Sequence, residues 1–344
     1  MADAHVYRAR TLRGLVADAD LVLRVRIVSV PGPIQLPPAG PGTSGRPDVG
    51  ADILEVLKGG EWIDAPRVRF VQHGHGVVSF APGDETLLFL HDIKRSRELA
   101  VLGRSGNHRW VSPQEAGDEY PLDARTRRPL LAAVRDYLAA ESIDDPAART
   151  AVLRRATVGL LTAGDARLGA SALRDCALAP ELPLLARDDV PALTAVLDDP
   201  SRSMGLRAGL LAELERRGLV DAAPRWLVLL SGDVATPDRL TAIRAAGRAA
   251  DPAVRARLVE LLGDPDPHVA AAACSALGTS GDATAVPALS TALAHPHATV
   301  RMAAIRSLGQ IGTREALDVL EATTRSHPDP ATRRRAGAEL RKRS

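Results

Sequence analysis

A set of small and apolar residues recurs every 31 positions in the second half of this 344-residue chain. The recurring pairs are Val269 and Val300, Ala272 and Ala303, Ala273 and Ala304, Leu277 and Leu308, Gly278 and Gly309, and Gly281 and Gly312, with Ala242 and Gly247 one interval earlier and Leu258, Leu289 and Leu320 between these segments. Repeats of about 20 to 50 residues are typical of stacked helical units, because each unit buries its apolar face against its neighbours. The interval therefore predicts an array of helix pairs.

Aromatic residues are distributed unevenly along the chain. Nine residues are aromatic and eight of them precede residue 140, so Trp226 is the one large ring in the rest of the chain. The array must therefore be packed with Ala, Leu and Val, and alanine allows neighbouring helices to approach closely. This scarcity argues against base stacking and against an aromatic cofactor pocket in the array.

Two sequence features mark the expected helix ends. An Asp-Pro step suits an N-cap followed by Pro at the first helical position, where the missing N–H of Pro costs nothing. Such steps occur at 199–200, 251–252, 264–265 and 329–330. Because glycine adopts positive φ readily, Gly278 and Gly309 are expected to end the helices that contain Leu277 and Leu308.

The first 125 residues have the pattern of short β-strands. Apolar residues at 21, 23, 25 and 27 alternate with Arg24 and Arg26, as in a half-buried strand. Strand-like runs are expected at 21–30, 52–57, 67–72, 77–80, 86–91, 99–102 and 108–111. Residues 31–50 contain six Pro and five Gly and are expected to form a long loop. The pattern predicts a small antiparallel β-barrel or sandwich.

Both halves of the chain resemble known families. The segment HPHATVRMAAIRSLGQIG followed by TREALDVLEA resembles HEAT repeats, in particular the short bacterial type of the phycobilin lyases. The succession ADLVLRVRIVSV, ILEVLKG, PGDETLLFL and LGRSGNHRWV resembles a small OB-like or netrin-like β-barrel module of exported bacterial proteins. The resemblances imply an α+β fold of two domains, with a small β-barrel or sandwich before an α-α solenoid of HEAT-like helix pairs.

The expected domain boundaries follow the change in pattern along the chain. A β-rich domain is expected at 1–125, with the Pro/Gly-rich loop inside it. A joining helix and linker are expected at 126–145, with the helix itself at Arg128–Ala140. The HEAT-like solenoid is expected at 146–344, in five to six repeats.

The net charge of +2 selects no particular partner, because residues 1–140 carry 18 basic and 17 acidic side chains and residues 141–344 carry 26 and 25. Residues 325–344 hold seven basic groups and two acidic ones, which makes the C-terminal end a basic tip. The sequence lacks a run of 18 apolar residues and a basic-then-apolar leader. We therefore expect a soluble chain that is cytoplasmic as written, or exported if a leader was removed before residue 1.

Three histidines form a candidate metal site in the β-rich domain. His73 and His75 would share one face of a strand and His91 ends another, so three imidazoles could meet around a metal. The alternative is ordinary exposed or hydrogen-bonded histidines, since the glycines at 74 and 76 favour a turn. Cys176 and Cys274 have no nearby Cys partner and are expected to be buried as small apolar side chains.

The predicted function is a non-catalytic scaffold without a cofactor. In a HEAT-like solenoid, the second helix of each pair is expected to line the concave side. If the repeated leucines at 258, 289 and 320 point to the core, the opposite surface carries mixed charge, which suits a protein or peptide partner. The candidate binding residues on this surface are Arg257, Glu260, Thr291, Asp318 and Arg325. The alternative for each of them is an ordinary solvated position.

Two other functions stay open. A nucleic-acid-binding protein would use the basic tip, because arginine suits bidentate contact with phosphate. Its residues would be Arg333, Arg334, Arg335, Arg341, Lys342 and Arg343. An enzyme or lyase of the HEAT-like type would need an unrecognised site. No His in the chain is followed by Glu, as a resemblance to di-iron hydroxylases would require, and the Cys clusters of queuosine-type reductases are absent.

Overall fold

The computed structural model describes residues 10–30, 48–72, 80–95, 109–112, 120–231 and 235–342. Internal contacts divide the chain into two compact units, Met1–Leu185 and Ala186–Ser344. The described residues of the first unit form a β-barrel and four helices, and those of the second unit form helix pairs. The predicted α+β fold, a small barrel followed by a helical solenoid, is confirmed.

Six strands form one sheet in the described part of the first unit. They are β1 (Leu21–Ser29), β2 (Asp48–Lys58), β3 (Arg67–Val71), β4 (Glu85–Asp92), β5 (Trp110–Val111) and β6 (Tyr120–Pro121). The pairing order is β1, β2, β3, β5, β4, and β4 also pairs with β1, so these five strands close into a barrel. β6 extends the sheet by pairing with β4.

One pair of neighbouring strands departs from the predicted antiparallel arrangement. β3 and β5 run parallel, with Phe70 opposite Trp110, whereas the other pairs in the ring are antiparallel. The cause is the number of strands: five strands in a closed ring cannot alternate in direction throughout, so one neighbouring pair must run the same way. The parallel pair is therefore a consequence of closing the barrel.

Alternation along β1 separates the barrel core from its charged exterior. The apolar residues at 21, 23, 25 and 27 are buried, together with the Phe70 and Phe80 rings, which meet edge to face with centroids 6.1 Å apart. Outside, Arg24 and Arg26 donate to the Glu85 carboxylate at 3.4 and 3.0 Å. The hydrogen bond from Arg26 is the main reason that the pKa of Glu85 lies below its usual value.

The observed strands and helices of the first unit differ from the expected ones at several places. β2 begins at Asp48, so residues 48–50 belong to a strand that pairs with β3, and not to the predicted 31–50 loop. The expected runs at 77–79 and 99–102 lie outside the described residues. The two-residue strand β6 and the seven-residue helix α1 (Leu12–Asp18) were not predicted, because such short segments carry too little periodicity.

Three further helices belong to the first unit: α2 (Arg127–Glu141), α3 (Pro146–Thr162) and α4 (Ala166–Leu178). α2 corresponds to the predicted joining helix and extends one residue further at each end. It packs against α1 and α3, and its Arg135 donates to Glu55 of β2 at 2.6 Å. The Leu12 N–H donates to the Ser171 hydroxyl of α4 at 2.7 Å. Contacts therefore group these helices with the barrel, while the predicted boundaries at 125 and 145 stay a prediction.

The second unit is a stack of helix pairs. Its helices are α5 (Val190–Asp198), α6 (Met204–Arg216), α7 (Ala223–Ser231), α8 (Thr236–Ala246), α9 (Pro252–Glu260), α10 (Pro267–Ser280), α11 (Val286–Ala292), α12 (Ala298–Ile311), α13 (Arg314–Ser326) and α14 (Pro330–Arg341). The second helices of the pairs, α6, α8, α10, α12 and α14, pack in succession and form the second-helix layer. The first helices, including α7, α9, α11 and α13, form the first-helix layer.

Two of the four predicted Asp-Pro steps begin a helix. Asp251 caps α9 and Asp329 caps α14, each followed by Pro. α10 begins after Asp266 and not after Asp264, because the Asp264 side chain accepts from the Asp266 N–H and leaves Asp266 as the cap. α6 begins after Ser203, since the carboxylate at 199 accepts from residues 201 and 202 in the preceding turn.

The expected role of two glycines is wrong. α10 and α12 end at Gly281 and Gly312, which have φ of 67° and 64°, three residues beyond Gly278 and Gly309. Gly278 lies inside α10, and a Cβ placed on it would lie 2.6 Å from the Cβ of Ser307 on α12. Gly278 therefore allows the close approach of two helices.

Candidate functional site

The predicted partner-binding residues all lie on the first-helix layer, whose helices the sequence analysis counted as second in their pairs because it paired each with the helix before it. Arg257 and Glu260 are on α9, Thr291 is on α11, and Asp318 and Arg325 are on α13. All are exposed except Arg257, which is half-buried. They are therefore spread over three successive first helices.

Most of these charges are paired with a neighbour on the same helix. Arg257 donates to Glu260 at 2.7 Å, and Asp318 accepts from Arg314 at 2.9 Å. Arg325 and Glu321 are 3.7 Å apart. Exposed pairs of this kind stabilise a helix by less than about 1 kcal/mol. The charged side chains alone thus do not single out a binding site on this layer.

An apolar groove lies beside Arg257 and Glu260. It separates α7 from α9, has a volume of about 460 Å³, and is lined by Leu227, Val228, Ser231, Ala253, Ala256, Arg257 and Glu260. Val228 lines this groove and is 65% exposed. Val228 lies in the run WLVLL and was not among the predicted binding residues. The helical spacing of this run could have indicated it: Trp226, Leu229 and Leu230 share the buried face of α7, which leaves Val228 on the opposite side.

The predicted basic tip is only partly available for a ligand. Arg333 donates to the carbonyl oxygens of residues 327 and 328, and both Arg335 and Lys342 pair with Glu339. Arg334 and Arg341 are exposed, and no described residue pairs with their side chains. Arg343 lies outside the described residues. Among the five predicted cations of the tip that the structure describes, two arginines are therefore unpaired.

The predicted histidine site lies mostly outside the described residues, because His73 and His75 are not among them. His91 ends β4, and its Nε2 is 3.7 Å from an Asp18 carboxylate oxygen and its Nδ1 is 3.3 Å from Arg95. Burial lowers the pKa of His91. In the part of the chain that the structure describes, no group of three or more His, Cys, Asp or Glu side chains could hold a metal ion. The three-histidine site stays a prediction.

One buried pair of titratable groups was not found from the sequence. The Tyr137 hydroxyl of α2 donates to Asp175 of α4 at 3.4 Å, and both side chains are buried. Burial raises the pKa of the Tyr137 hydroxyl and of the Asp175 carboxyl. Their separation of 38 residues gives no sequence signal. The pair links two helices of the first unit.

Both cysteines are free and buried, as predicted. Burial raises the pKa of the Cys274 thiol to about 12, and the thiolate is the reactive form. We expect the folded protein to show no reaction with Ellman's reagent at pH 8 within an hour, and two thiols per chain to react after unfolding in guanidinium. Rapid labelling of the folded chain would contradict the buried position of these thiols.

Comparison with known proteins agrees with the helix pairs. The protein-family model for HEAT repeats matches residues 223–299 and 264–341. These residues are HEAT repeats. A search of the curated proteins found no match. The HEAT-repeat segment begins at α7 and continues to the end of α14, so it includes the apolar groove and the basic tip as far as Arg341.

Three solved structures show the level of similarity. Human deoxyhypusine hydroxylase is 19% identical over 63% of this chain and 89% of its own, with a TM-score of 0.31. A designed armadillo repeat protein is 16% identical over 59% of this chain and 97% of its own, with a TM-score of 0.32. A computationally designed armadillo repeat protein for modular peptide recognition has the same identity and coverage and a TM-score of 0.31. At these low scores, nothing that those proteins bind or catalyse transfers to this chain.

No helix among the described residues combines the length and the apolar character needed to cross a membrane. The longest helices of the second unit, α10 and α12, have 14 residues each. A span needs about 20 predominantly apolar residues.

Proposed function

We propose that the HEAT repeats form a non-catalytic scaffold that binds a protein or peptide partner. The observation that carries the proposal is the exposed Val228 in the groove between α7 and α9. Covering a valine side chain that is mostly in contact with water contributes about 1 to 2 kcal/mol, so an apolar side chain of the partner gains by entering this groove. Stacked helix pairs offer such grooves along an extended surface.

The predicted binding residues surround and extend this groove. Arg257 and Glu260 lie at its rim and pair with each other at 2.7 Å, and the further N–H groups of Arg257 and the second carboxylate oxygen of Glu260 are offered to a partner backbone. Thr291 on α11 and Asp318 on α13 continue the same layer. Packed helices are about 8 to 10 Å apart, so α9 to α13 span about 20 Å, the length of about six residues of extended chain. The proposed partner segment is therefore an extended peptide with an apolar side chain anchored beside Val228.

Affinity capture with the full chain as bait identifies partners, and calorimetry with the purified partner tests the groove. Val228→Asp is expected to weaken binding at least tenfold, because a charged side chain then occupies the apolar groove. The triple variant Arg257→Ala, Glu260→Ala and Asp318→Ala is expected to weaken binding further than any of its single changes.

Leu178→Asp is the matched control. Leu178 is 73% exposed, at the end of α4 in the first unit, so the same chemical change is made outside the HEAT repeats. It is expected to leave the affinity unchanged. If Val228→Asp binds every captured partner as tightly as Leu178→Asp does, the groove is not the binding site. Circular dichroism of both variants verifies that the helices are intact.

A further inference from the structure

The second-helix layer has one face that is defined by the helix caps. The N-caps of α8, α10, α12 and α14 are Ala235, Asp266, His297 and Asp329. Residues five, nine and thirteen positions after each cap are spaced by four, so they lie on one side of each helix or of the turn that ends it. These twelve positions are Leu240, Arg244, Arg248, Ala271, Ser275, Thr279, Met302, Arg306, Gln310, Arg334, Ala338 and Lys342. We call them the arginine face.

Most of the positive charge on the arginine face is uncompensated. It contains five cations and no carboxylate. Arg244, Arg248, Arg306 and Arg334 are exposed, and no described residue pairs with their side chains. The fifth cation, Lys342, pairs with Glu339 at 3.0 Å. Unpaired arginines thus lie on α12 and α14 and on α8 and the turn that ends it, with no cation from α10 between them, although residues 141–324 contain 23 acidic side chains and 19 basic ones.

The acidic residues that cap or lie within α10 and α14 are occupied elsewhere. Asp266 and Asp329 cap helices, and Asp329 also accepts from Arg301 at 2.8 Å. Hydrogen bonds from the Thr332 hydroxyl and from Arg301 keep the pKa of Asp329 well below its usual value. Glu339 is largely buried between Arg335 and Lys342. None of these carboxylates neutralises the four unpaired arginines.

The composition of the face favours a phosphate backbone over a protein surface. Protein partners gain most of their affinity from large apolar anchors, but Leu240 and Met302 are half-buried. The large apolar side chains that are exposed on the described second unit, Val228 and Val259, lie on the first-helix layer. Arginine binds phosphate bidentately and gains affinity by releasing counterions, without an apolar anchor. Ala271, Ser275 and Thr279 are small side chains between the arginines, and the Ser275 and Thr279 hydroxyls donate to carbonyl oxygens of their own helix at 3.0 and 2.9 Å.

We propose that the arginine face binds the phosphate backbone of double-stranded nucleic acid without reading its sequence. Helices about 8 to 10 Å apart place α8 and α14 about 24 to 30 Å from each other, which corresponds to about seven to nine base pairs at 3.4 Å each. The absence of aromatic side chains on the face fits contact with the backbone rather than with unstacked bases. This site is separate from the groove proposed above and lies on the other helix layer.

The test uses fluorescence anisotropy with the full chain and a labelled 16-base-pair DNA duplex at stepped salt concentrations. Four arginine contacts predict that log K falls with log salt with a slope of about −3 to −4. The triple variant Arg244→Gln, Arg306→Gln and Arg334→Gln is expected to lower the affinity at low salt at least tenfold. Its slope is expected to be shallower by about 2 to 3, because about 0.9 is lost per phosphate contact.

The matched control removes three arginines from the first-helix layer: Arg257→Gln, Arg314→Gln and Arg325→Gln. It changes the net charge equally and is expected to alter the affinity less than twofold. Equal losses in both triple variants, or no binding at low salt, would overturn the proposal. A poly-glutamate peptide of matched charge that binds as tightly as the duplex would also overturn it and indicate an acidic protein segment. The Val228→Asp variant is expected to bind the duplex as tightly as the unchanged chain does. A failed test of the groove can therefore be distinguished from a failed test of the arginine face.

Discussion

Gly278→Ala is expected to lower the free energy of unfolding of the HEAT repeats by about 1 to 3 kcal/mol, the usual cost of overfilling a packed contact. A Cβ at this position would lie 2.6 Å from the Cβ and 2.7 Å from the Cα of Ser307. Ser307 cannot yield easily, because its Cα belongs to the backbone of α12, its Cβ is bonded to that Cα, and its hydroxyl donates to the Cys274 carbonyl oxygen at 2.8 Å. The clash outweighs the gain of about 1 kcal/mol that alanine normally brings to a helix interior.

Two other glycines make this prediction specific. A Cβ on Gly205 of α6 would have nothing within 4 Å, so Gly205→Ala is expected to be neutral or to stabilise by up to about 1 kcal/mol. A Cβ on Gly309 would contact the flexible side chain of Glu339, with 2.7 Å to its Cγ, so Gly309→Ala is expected to cost less than Gly278→Ala. Urea unfolding followed by circular dichroism at 222 nm measures the order. A Gly278→Ala variant as stable as Gly205→Ala would show that the two helices do not meet at this glycine.

The helix pairs could be predicted because their pattern is local and repeated. The 31-residue interval places each small residue in the same position of successive helices, and the structure confirms the pairs. The helix ends were harder to predict. In the segment DPDP both Asp-Pro steps have the composition of a cap, and the hydrogen bond from the Asp266 N–H to Asp264 decides which of them is used. That choice depends on three-dimensional geometry that composition does not contain.

The candidate surfaces were harder to predict than the fold, because charge is visible in a sequence and pairing between helices is not. Arg257 and Asp318 were noticed as charged, yet both are paired within their own helices. Arg244 and Arg306 were not noticed, although they hold the same position in their repeats, nine residues after the N-cap. Once the helix caps are known, counting residues from each cap shows that Arg244 and Arg306 hold equivalent positions. The excess of acidic over basic side chains in the repeats argued against a positive surface, because a count over the sequence does not tell which helix layer carries each charge.

Trp226→Ala is expected to destabilise the HEAT repeats by about 3 to 5 kcal/mol, the usual cost of removing a buried aromatic side chain. Trp226 begins the HEAT-repeat segment on α7, is fully buried, and is the one aromatic residue after position 140. Its Nε1 donates to Glu215 at 2.8 Å, and Glu215 also accepts from the Ala250 N–H at 3.2 Å. The ring therefore fills space between helices and helps to hold a carboxylate that joins α6 to the turn after α8.

Trp226→Phe separates these two contributions. Phenylalanine keeps much of the apolar packing but removes the donor to Glu215, so we expect an intermediate loss of about 1 to 3 kcal/mol. Val228→Ala, two residues further along the same helix, is expected to cost less than about 0.5 kcal/mol because that side chain is mostly exposed. Circular dichroism during urea unfolding compares all three variants without depending on tryptophan fluorescence. If Trp226→Ala were as stable as Val228→Ala, the ring would contribute nothing to the stability of the HEAT repeats. Alanine and leucine alone would then pack this array.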